Sequence, residues 1–263
     1  MLVRTWNAFH GNALPPERRA FLADAVRLAC ADAPDILLLQ ELPVWSLRHL
    51  HDWSGMIAVG DVARRPMLGP LPSTAEIGRV LTELNHGLLR SAFTGQANAV
   101  LVREPLRVRD RRHLVLNPLS FRRRFDVGVA SQVAWAKERR GCQVVRLARE
   151  EGTLVVANLH ATAYRDRRLA DAELLRAATF VDGFAHPGEP IVLGGDFNLT
   201  VVNSRTLPEL ASAEWGFEGA GPGIDHILVR GLRGSAPVRW PDERRRVGGR
   251  LLSDHTPVER EVA

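Results

Sequence analysis

Lysine is almost missing from this chain: Lys137 is the only one, and every other basic residue is arginine. Cysteine is nearly as scarce, represented by Cys30 and Cys142 alone. Two thiols are too few for a disulfide framework or a thiolate metal site, so both are expected as small buried hydrophobes. No apolar run approaches the length of a bilayer-spanning helix; the run Ile36-Leu37-Leu38-Leu39 is representative. Strand-like sequence begins at Leu2, which leaves no room for a signal peptide and makes a cytoplasmic location the expectation. No internal repeat, low-complexity stretch or interdomain linker stands out, and Tyr164 is the single tyrosine.

What is present fits a globular enzyme-sized unit. A chain of 263 residues, 45% hydrophobic and 25% charged, can bury one substantial core, so a single domain over residues 1–263, acting as a monomer, is expected. The formal net charge of +5 suits a polyanionic partner such as nucleic acid. A compositional habit of using arginine for lysine accounts for it equally well.

Leu2 to Asn7 reads as a strand, and the segment opening at Pro15-Pro16-Glu17 as a helix running to about Ala31. Asp35 to Glu41 is a buried strand whose apolar run ends abruptly in Gln40-Glu41. A short helix is expected over Trp45 to Trp53, a loop over Val62 to Ser73, a helix over Thr74 to Asn85 and a strand over Asn98 to Arg103. Val108 to Leu116, Asp126 to Lys137, Cys142 to Ala148 and Thr153 to His160 read as a meander of antiparallel strands with turns at Arg140-Gly141 and Glu151-Gly152. Helical spacing of Leu169, Leu174, Leu175, Ala178 and Val181 predicts a helix over Tyr164 to Phe184. Strands over Ile191 to Leu193, Ile224 to Val229, Ala236 to Trp240 and Thr256 to Val262 follow. Two blocks of strands with accompanying helices predict an α/β fold, a four-layer α/β/β/α sandwich of two packed, mainly antiparallel sheets with helices outside.

Polar residues collect where the apolar runs stop: Asn7, Glu41, His160, Asp196, Asn198, Asp225, Asp254 and His255. Buried strand ends carrying such groups are costly unless they bind something. Carboxylate and amide oxygens suit a hard divalent cation, an acid can orient or deprotonate an attacking water, and imidazole or amide donors suit charge developing on phosphorus.

The order Trp6-Asn7, Gln40-Glu41, Asn158-Leu159-His160, Gly195-Asp196-Phe197-Asn198, Ile224-Asp225-His226 and Ser253-Asp254-His255 resembles the endonuclease/exonuclease/phosphatase superfamily, the deoxyribonuclease I-like fold. Each motif alone is weak, whereas the ordered set spans nearly the whole chain and is specific. Glu138-Arg139-Arg140-Gly141 resembles a segment of bacterial members. The resemblance implies a magnesium-dependent enzyme, with manganese as a substitute ion, in which Glu41 is the principal metal ligand beside Asn7 and Asp254. It implies that Asp196 orients or deprotonates the attacking water and that Asn198 holds it or a phosphate oxygen. His255, hydrogen-bonded to Asp225, would act as general acid/base or cationic donor, and His160 as the second phosphate-contacting imidazole. His226 reads as structural, because strand alternation turns it away from Asp225. Asn158 shares a face with His160 and receives no direct role. His10, His49, His51, His86, His113 and His186 read as surface or loop residues.

Arg107 to Arg124, with Phe121 and Phe125 flanking Arg122-Arg123-Arg124, either grips a phosphate backbone while an aromatic stacks on a base, or forms a solvated hairpin with one phenylalanine in the core. Arg244-Arg245-Arg246 carries the same ambiguity. Relatives implied by the resemblance cleave DNA, RNA, sphingomyelin, inositol phosphates and protein–DNA phosphotyrosyl links; Thr5-Trp6-Asn7 resembles the tyrosyl-DNA phosphodiesterases but is not confined to them. A nuclease acting on DNA or RNA is the leading expectation, because the complete set coincides with a basic chain. The alternatives are a phosphatase or phospholipase acting on inositol phosphates or phospholipid, and a non-catalytic nucleic-acid-binding protein on the same scaffold.

Overall fold

The computed structural model describes residues 1–69, 71–84 and 93–263. The expected helix end at Asn85 and the residue His86 therefore lie outside the described residues. In chain order the principal elements are β1 (Leu2–Asn7), α1 (Leu22–Cys30), β2 (Ile36–Leu42), β3 (Ile57–Arg64), α2 (Ala75–Leu84), β4 (Gln96–Val102), β5 (Arg107–Val115), α3 (Val129–Lys137), β6 (Gly141–Arg149), β7 (Gly152–His160), α4 (Arg168–Phe184), β8 (Ile191–Asp196), β9 (Asp225–Arg230), β10 (Val238–Arg239) and β11 (Val258–Glu261). They form a mixed α/β fold with two main sheets, mainly antiparallel and accompanied by helices. The chain divides into two compact units, the first made of Met1–Pro105 with Val238–Glu259, the second of Leu106–Pro237 with Arg260–Ala263.

In the first unit the sheet order is β10-β11-β1-β2-β4-β3. Ile36, Leu37 and Leu38 are fully buried, which suits the central position of β2. β1 and β2 run parallel, Val3 opposite Ile36 and Asn7 opposite Gln40, so the ends of both strands fall level. The crossover between them is α1. Its Leu22, Ala25, Val26 and Ala29 repeat at helical spacing and are all buried, packing with Trp6, Leu37, Leu39 and Leu101.

In the second unit the order is β9-β8-β7-β6-β5, with β7 and β8 parallel and the other neighbours antiparallel. The core here joins Val155, Ala157 and Leu159 of β7 and Ile191 and Leu193 of β8 to Leu174, Ala177, Ala178 and Val181 of α4. A satellite cluster forms around fully buried Trp135, against which Phe121 and Phe125 set their edges at 5.9 and 5.4 Å between ring centroids.

Three elements differ from their expected form. Asp126 to Lys137 is not a meander strand; from Val129 it is the helix α3. Its apparent alternation misleads because Val129 and Val133 are 81% and 64% exposed and only Trp135 is buried, so the valines mark no core face. Residues 62–64, expected in a loop, end the edge strand β3, which pairs with β4; Gly60 and Asp61 hide a strand that needs only one buried face. The helix expected from Pro15 begins at Leu22, after the short strand Ala13–Leu14 and an irregular stretch. The three remaining meander strands, β5, β6 and β7, pair antiparallel as expected. Among the described residues no helix is long and apolar enough to cross a membrane.

Asp166 ties α3 to the start of α4, accepting from Ser131 Oγ at 2.9 Å and from Arg168 Nη2 at 2.8 Å. The Arg168 bonds, with that of Ser131, pull its carboxyl from the ordinary 3.8 down to about 2. A depressed carboxyl stabilises the fold above its unfolded pKa and ceases to do so as pH falls through the folded one. Wild type should therefore be more resistant to urea than Asp166→Asn at pH 6, with the two curves converging between pH 4 and pH 2. A gap that stays constant with pH would contradict this assignment.

Candidate active site

Each sheet presents polar side chains at one end. In the first unit Asn7 closes β1 and lies opposite Gln40 of β2, with Glu41 next in line. Between Leu39 and Leu42 the pairing with β4 slips: three steps along β2 match two along β4, from Ala99 to Ala97. This bulge carries one extra residue, and Glu41 takes φ of +52° there, a left-handed conformation that costs a non-glycine residue roughly 1 kcal/mol or more. The side chain is thereby turned out of the ladder and keeps 20% exposure, with His10 Nε2 3.6 Å from its carboxylate.

Asp254 and His255 follow Ser253, whose hydroxyl donates to the Asn7 carbonyl at 2.7 Å and accepts from the His255 amide at 3.0 Å. One hydroxyl thus sets Asp254 beside the end of β1. Ser253 is itself left-handed, with φ of +61°. Arg245 secures the turn from the other side: Nη1 donates to the carbonyls of Leu252, Ser253 and His255 at 3.0, 2.9 and 3.1 Å, and Asp242 holds the same guanidinium at 2.7 Å. Trp6 Nε1 donates to the His255 carbonyl as well.

In the second unit the register places Gly141, His160, Asp196 and Asp225 in a row across adjacent strands. His160, Asp196 and Asp225 are each at most 5% exposed. His160 Nε2 lies 3.6 Å from Asp196 Oδ2. Arg140 donates to the same ring, with Nη1 2.7 Å from Nε2, and is paired to Glu138. Asn198 turns back on this row, its amide donating to Asp196 Oδ1 and its Nδ2 to the Ala161 carbonyl, both at 3.0 Å; φ of +53° is tolerated because asparagine visits this region. Gly195 must be glycine. A Cβ there would sit 2.0 Å from the Leu159 carbonyl of the neighbouring strand, and φ is +135°.

All eight sequence-predicted site residues therefore sit at strand ends or in the turns that follow them. Asn7, Glu41, Asp254 and His255 share the first unit, and His160, Asp196, Asn198 and Asp225 the second. His226 is structural: fully buried, it donates from Nε2 to the Leu199 carbonyl at 2.7 Å and accepts the Gly221 amide at Nδ1. Burial lowers its pKa despite the neighbouring Asp225. His10 was expected at the surface or in a loop; it is buried, 4% exposed, because Phe9–Gly11 turns inward beneath Glu41. Arg140 and His10 are the residues that sequence reasoning missed. The Glu138-Arg139-Arg140-Gly141 segment was the available signal for the first; nothing in the sequence singled out the second. Arg245 proves buried and Arg244 half-buried, pairing with Asp32 and Glu259 and lying over Trp240, so only Arg246 of that triplet is exposed.

The donors on the first unit suit a hard cation. Glu41 and Asp254 supply carboxylate oxygens and Asn7 an amide oxygen, which also accepts from the Phe9 amide. The set is one of oxygen donors, which suits a hard rather than a soft metal.

Strand-end carboxylates, amides and imidazoles on two mainly antiparallel sheets define a phosphoesterase-type α/β scaffold. The chain belongs to the Endonuclease/Exonuclease/phosphatase family, whose model matches residues 5–255. Members of this family are phosphoester hydrolases and generally depend on a divalent metal. No curated protein matches the sequence. Solved structures match over the full chain. A functionally unknown conserved protein from Enterococcus faecalis V583 is 16% identical with a TM-score of 0.68, covering 100% of this chain and 99% of that one. D. rerio TDP2, humanized by 14 mutations, is 12% identical with a TM-score of 0.65, covering 100% and 98%. A mannosyl-6-phosphatase from Bacteroides thetaiotaomicron VPI-5482 is 15% identical with a TM-score of 0.65, covering 100% and 99%. At such identities the likeness concerns the fold.

Removing the Arg245 guanidinium takes this donor from the buried Leu252 and Ser253 carbonyls, while that of His255 keeps Trp6 Nε1. Arg245→Met should lower unfolding free energy by about 3 kcal/mol, read from the urea midpoint at constant m-value. A loss below about 1 kcal/mol would show that water replaces the clamp.

Proposed function

We propose that the protein is a divalent-metal-dependent phosphodiesterase whose leading substrate class is nucleic acid. The observation that carries the reading is the row Arg140–His160–Asp196, in which a buried guanidinium, an imidazole and a carboxylate converge at the end of one sheet. Buried ionisable groups held this way are expensive without use.

Glu41, Asn7 and Asp254 would hold the metal, which supplies Lewis-acid stabilisation of phosphate charge and lowers the pKa of bound water. Asp196 orients or accepts the proton of the attacking water, held by Asn198, whose own backbone is fixed by Asp196 and Ala161. His160, steadied by Arg140, donates to a phosphate oxygen. His255 serves as general acid/base, a role that imidazole suits near neutral pH. The Arg140 guanidinium, always charged, adds a fixed positive charge beside the phosphate.

The net charge of +5 supports a polyanionic substrate. A second reading, a phosphatase acting on a small phosphorylated metabolite, is favoured by the internal use of so many arginines, among them Arg4, Arg140, Arg245 and Arg260, each at most 5% exposed.

The test is a panel of supercoiled plasmid, single-stranded DNA, RNA, abasic duplex, inositol phosphates, sugar phosphates and sphingomyelin, with magnesium, manganese or chelator. Turnover should require the metal, and Glu41→Ala, Asp196→Ala and His255→Ala should each reduce it at least ~100-fold. Full activity in any one variant removes that residue from the machinery. A steep fall of substrate affinity with salt is expected for nucleic acid, and a flat response would favour the small phosphorylated substrate.

A further inference from the structure

The second unit contains a groove of about 670 Å³ that the strand-end residues do not line. Its size falls within the range of small-molecule sites, roughly 300–1,000 Å³. Leu114 of β5 and Leu175 and Phe180 of α4 form one part of the wall, and Phe121 and Phe125 the other. The groove thus runs between the margin of the main core, where Leu114 and Phe180 pack, and the satellite cluster around Trp135.

Three arginines line this apolar channel, Arg168, Arg176 and Arg205. Its one acid is already engaged: Asp171 accepts from Ser204 Oγ at 2.6 Å and from the amides of Arg205 and Thr206. Arg176 is the informative residue. Its guanidinium lies over Phe121, 4.6 Å from the ring centroid, and its Nε is buried with no hydrogen-bond partner. It makes no ion pair among the described residues, and its charged neighbour is another cation, Arg124. Burial and that like charge lower its pKa. Desolvating a guanidinium without a counter-charge is unfavourable, and an anion arriving from solution would relieve it.

We infer that this groove binds a single-chain anionic amphiphile, its alkyl chain lying along Leu114, Leu175 and Phe180 and its carboxylate or phosphate head meeting Arg176, with Arg205 beside it. An alkyl chain fits better than a nucleobase. Phe121 and Phe125 already meet each other and Trp135 edge to face, and one face of Phe121 is covered by Arg176, so little open ring is left for stacking. The site is independent of the hydrolytic reading, and binding rather than turnover tests it.

The experiment is calorimetric titration of the full chain, below the micellar range, with decanoate and decyl phosphate, and with decanol and acetate as chain-only and head-only controls. Decanoate or decyl phosphate should bind at one site per chain, at least ~10-fold more tightly than decanol, with acetate silent. The better of the two anions names the head group. Arg176→Gln should weaken anion binding at least ~10-fold while leaving decanol and the melting temperature unchanged, and Phe180→Ser should weaken anion and decanol together. The inference is overturned if neither anion binds wild type, if decanol binds as well as the anions, or if Arg176→Gln changes nothing. It is equally overturned if a short single-stranded oligonucleotide binds in an Arg176-dependent manner and excludes decanoate.

Discussion

Arg4 is fully buried and still charged, and much of the first unit is arranged around that fact. Its guanidinium is gripped by the carboxylates of Asp32 and Glu259 and lies 4.4 Å from the Trp240 ring centroid. Burial alone would lower its pKa, yet the bonds to Asp32 and Glu259 raise it overall. Arg244 reaches the same two carboxylates and covers Trp240, so one acid pair serves two cations. The second unit repeats the device. Arg260, 3% exposed, donates to the carbonyls of Ser235, Glu218 and Ile227, and Gly219 leaves the space its guanidinium occupies. Arg146 joins Glu189 to the Phe184 carbonyl at the end of α4. A lysine could satisfy none of these multi-pronged sites, because an ammonium is a compact point charge without the planar fork. Breaking such a pair would leave its partner charge uncompensated.

Rigid bracing of this kind allows strain to persist at the strand ends. Glu41, Asn198 and Ser253 are non-glycine residues in the left-handed region, and each belongs to one of the strand-end motifs. Such backbones cost of order 1–3 kcal/mol apiece and persist only when neighbours over-determine them. Ser253 is fixed by its bonds to Asn7 and His255, by its amide donating to Asn12, and by Arg245 behind the turn. Asn198 is fixed by Asp196, Ala161 and the Arg167 guanidinium on its carbonyl. Glu41 is fixed by the bulge in β2. Strain and bracing together hold these groups in place, the preorganisation that the proposed hydrolysis would require.

Strand-end motifs were legible because an apolar run that stops at a carboxylate is a one-dimensional signal. Ile36 to Leu39 then Gln40-Glu41, and Ile191 to Leu193 then Gly194-Gly195-Asp196, could be read without knowing any contact. What remained hidden was long-range or masked by composition. Arg245 grips carbonyls seven to ten residues away through a turn, so nothing in Arg244-Arg245-Arg246 separates the buried member from the exposed one. His10 is inward only because the turn after β1 folds back on Glu41. The helix α3 read as a strand because its valines alternate while facing solvent, and β3 went unrecognised because an edge strand need hide little.

The same distinction decides how the arginines of β5 should be understood. Arg107, Arg109 and Arg111 alternate along a strand that ends its sheet, all exposed, with Arg112 beside them. An unpaired strand edge invites pairing with another chain, and a row of like charges, together with the register shift between Val108 and Asp110, discourages it. That requirement explains the row without any ligand. Arg176 is different in kind. It protects no edge, pairs with no acid among the described residues and loses hydration where it lies, so the edge argument that explains the β5 row does not explain it.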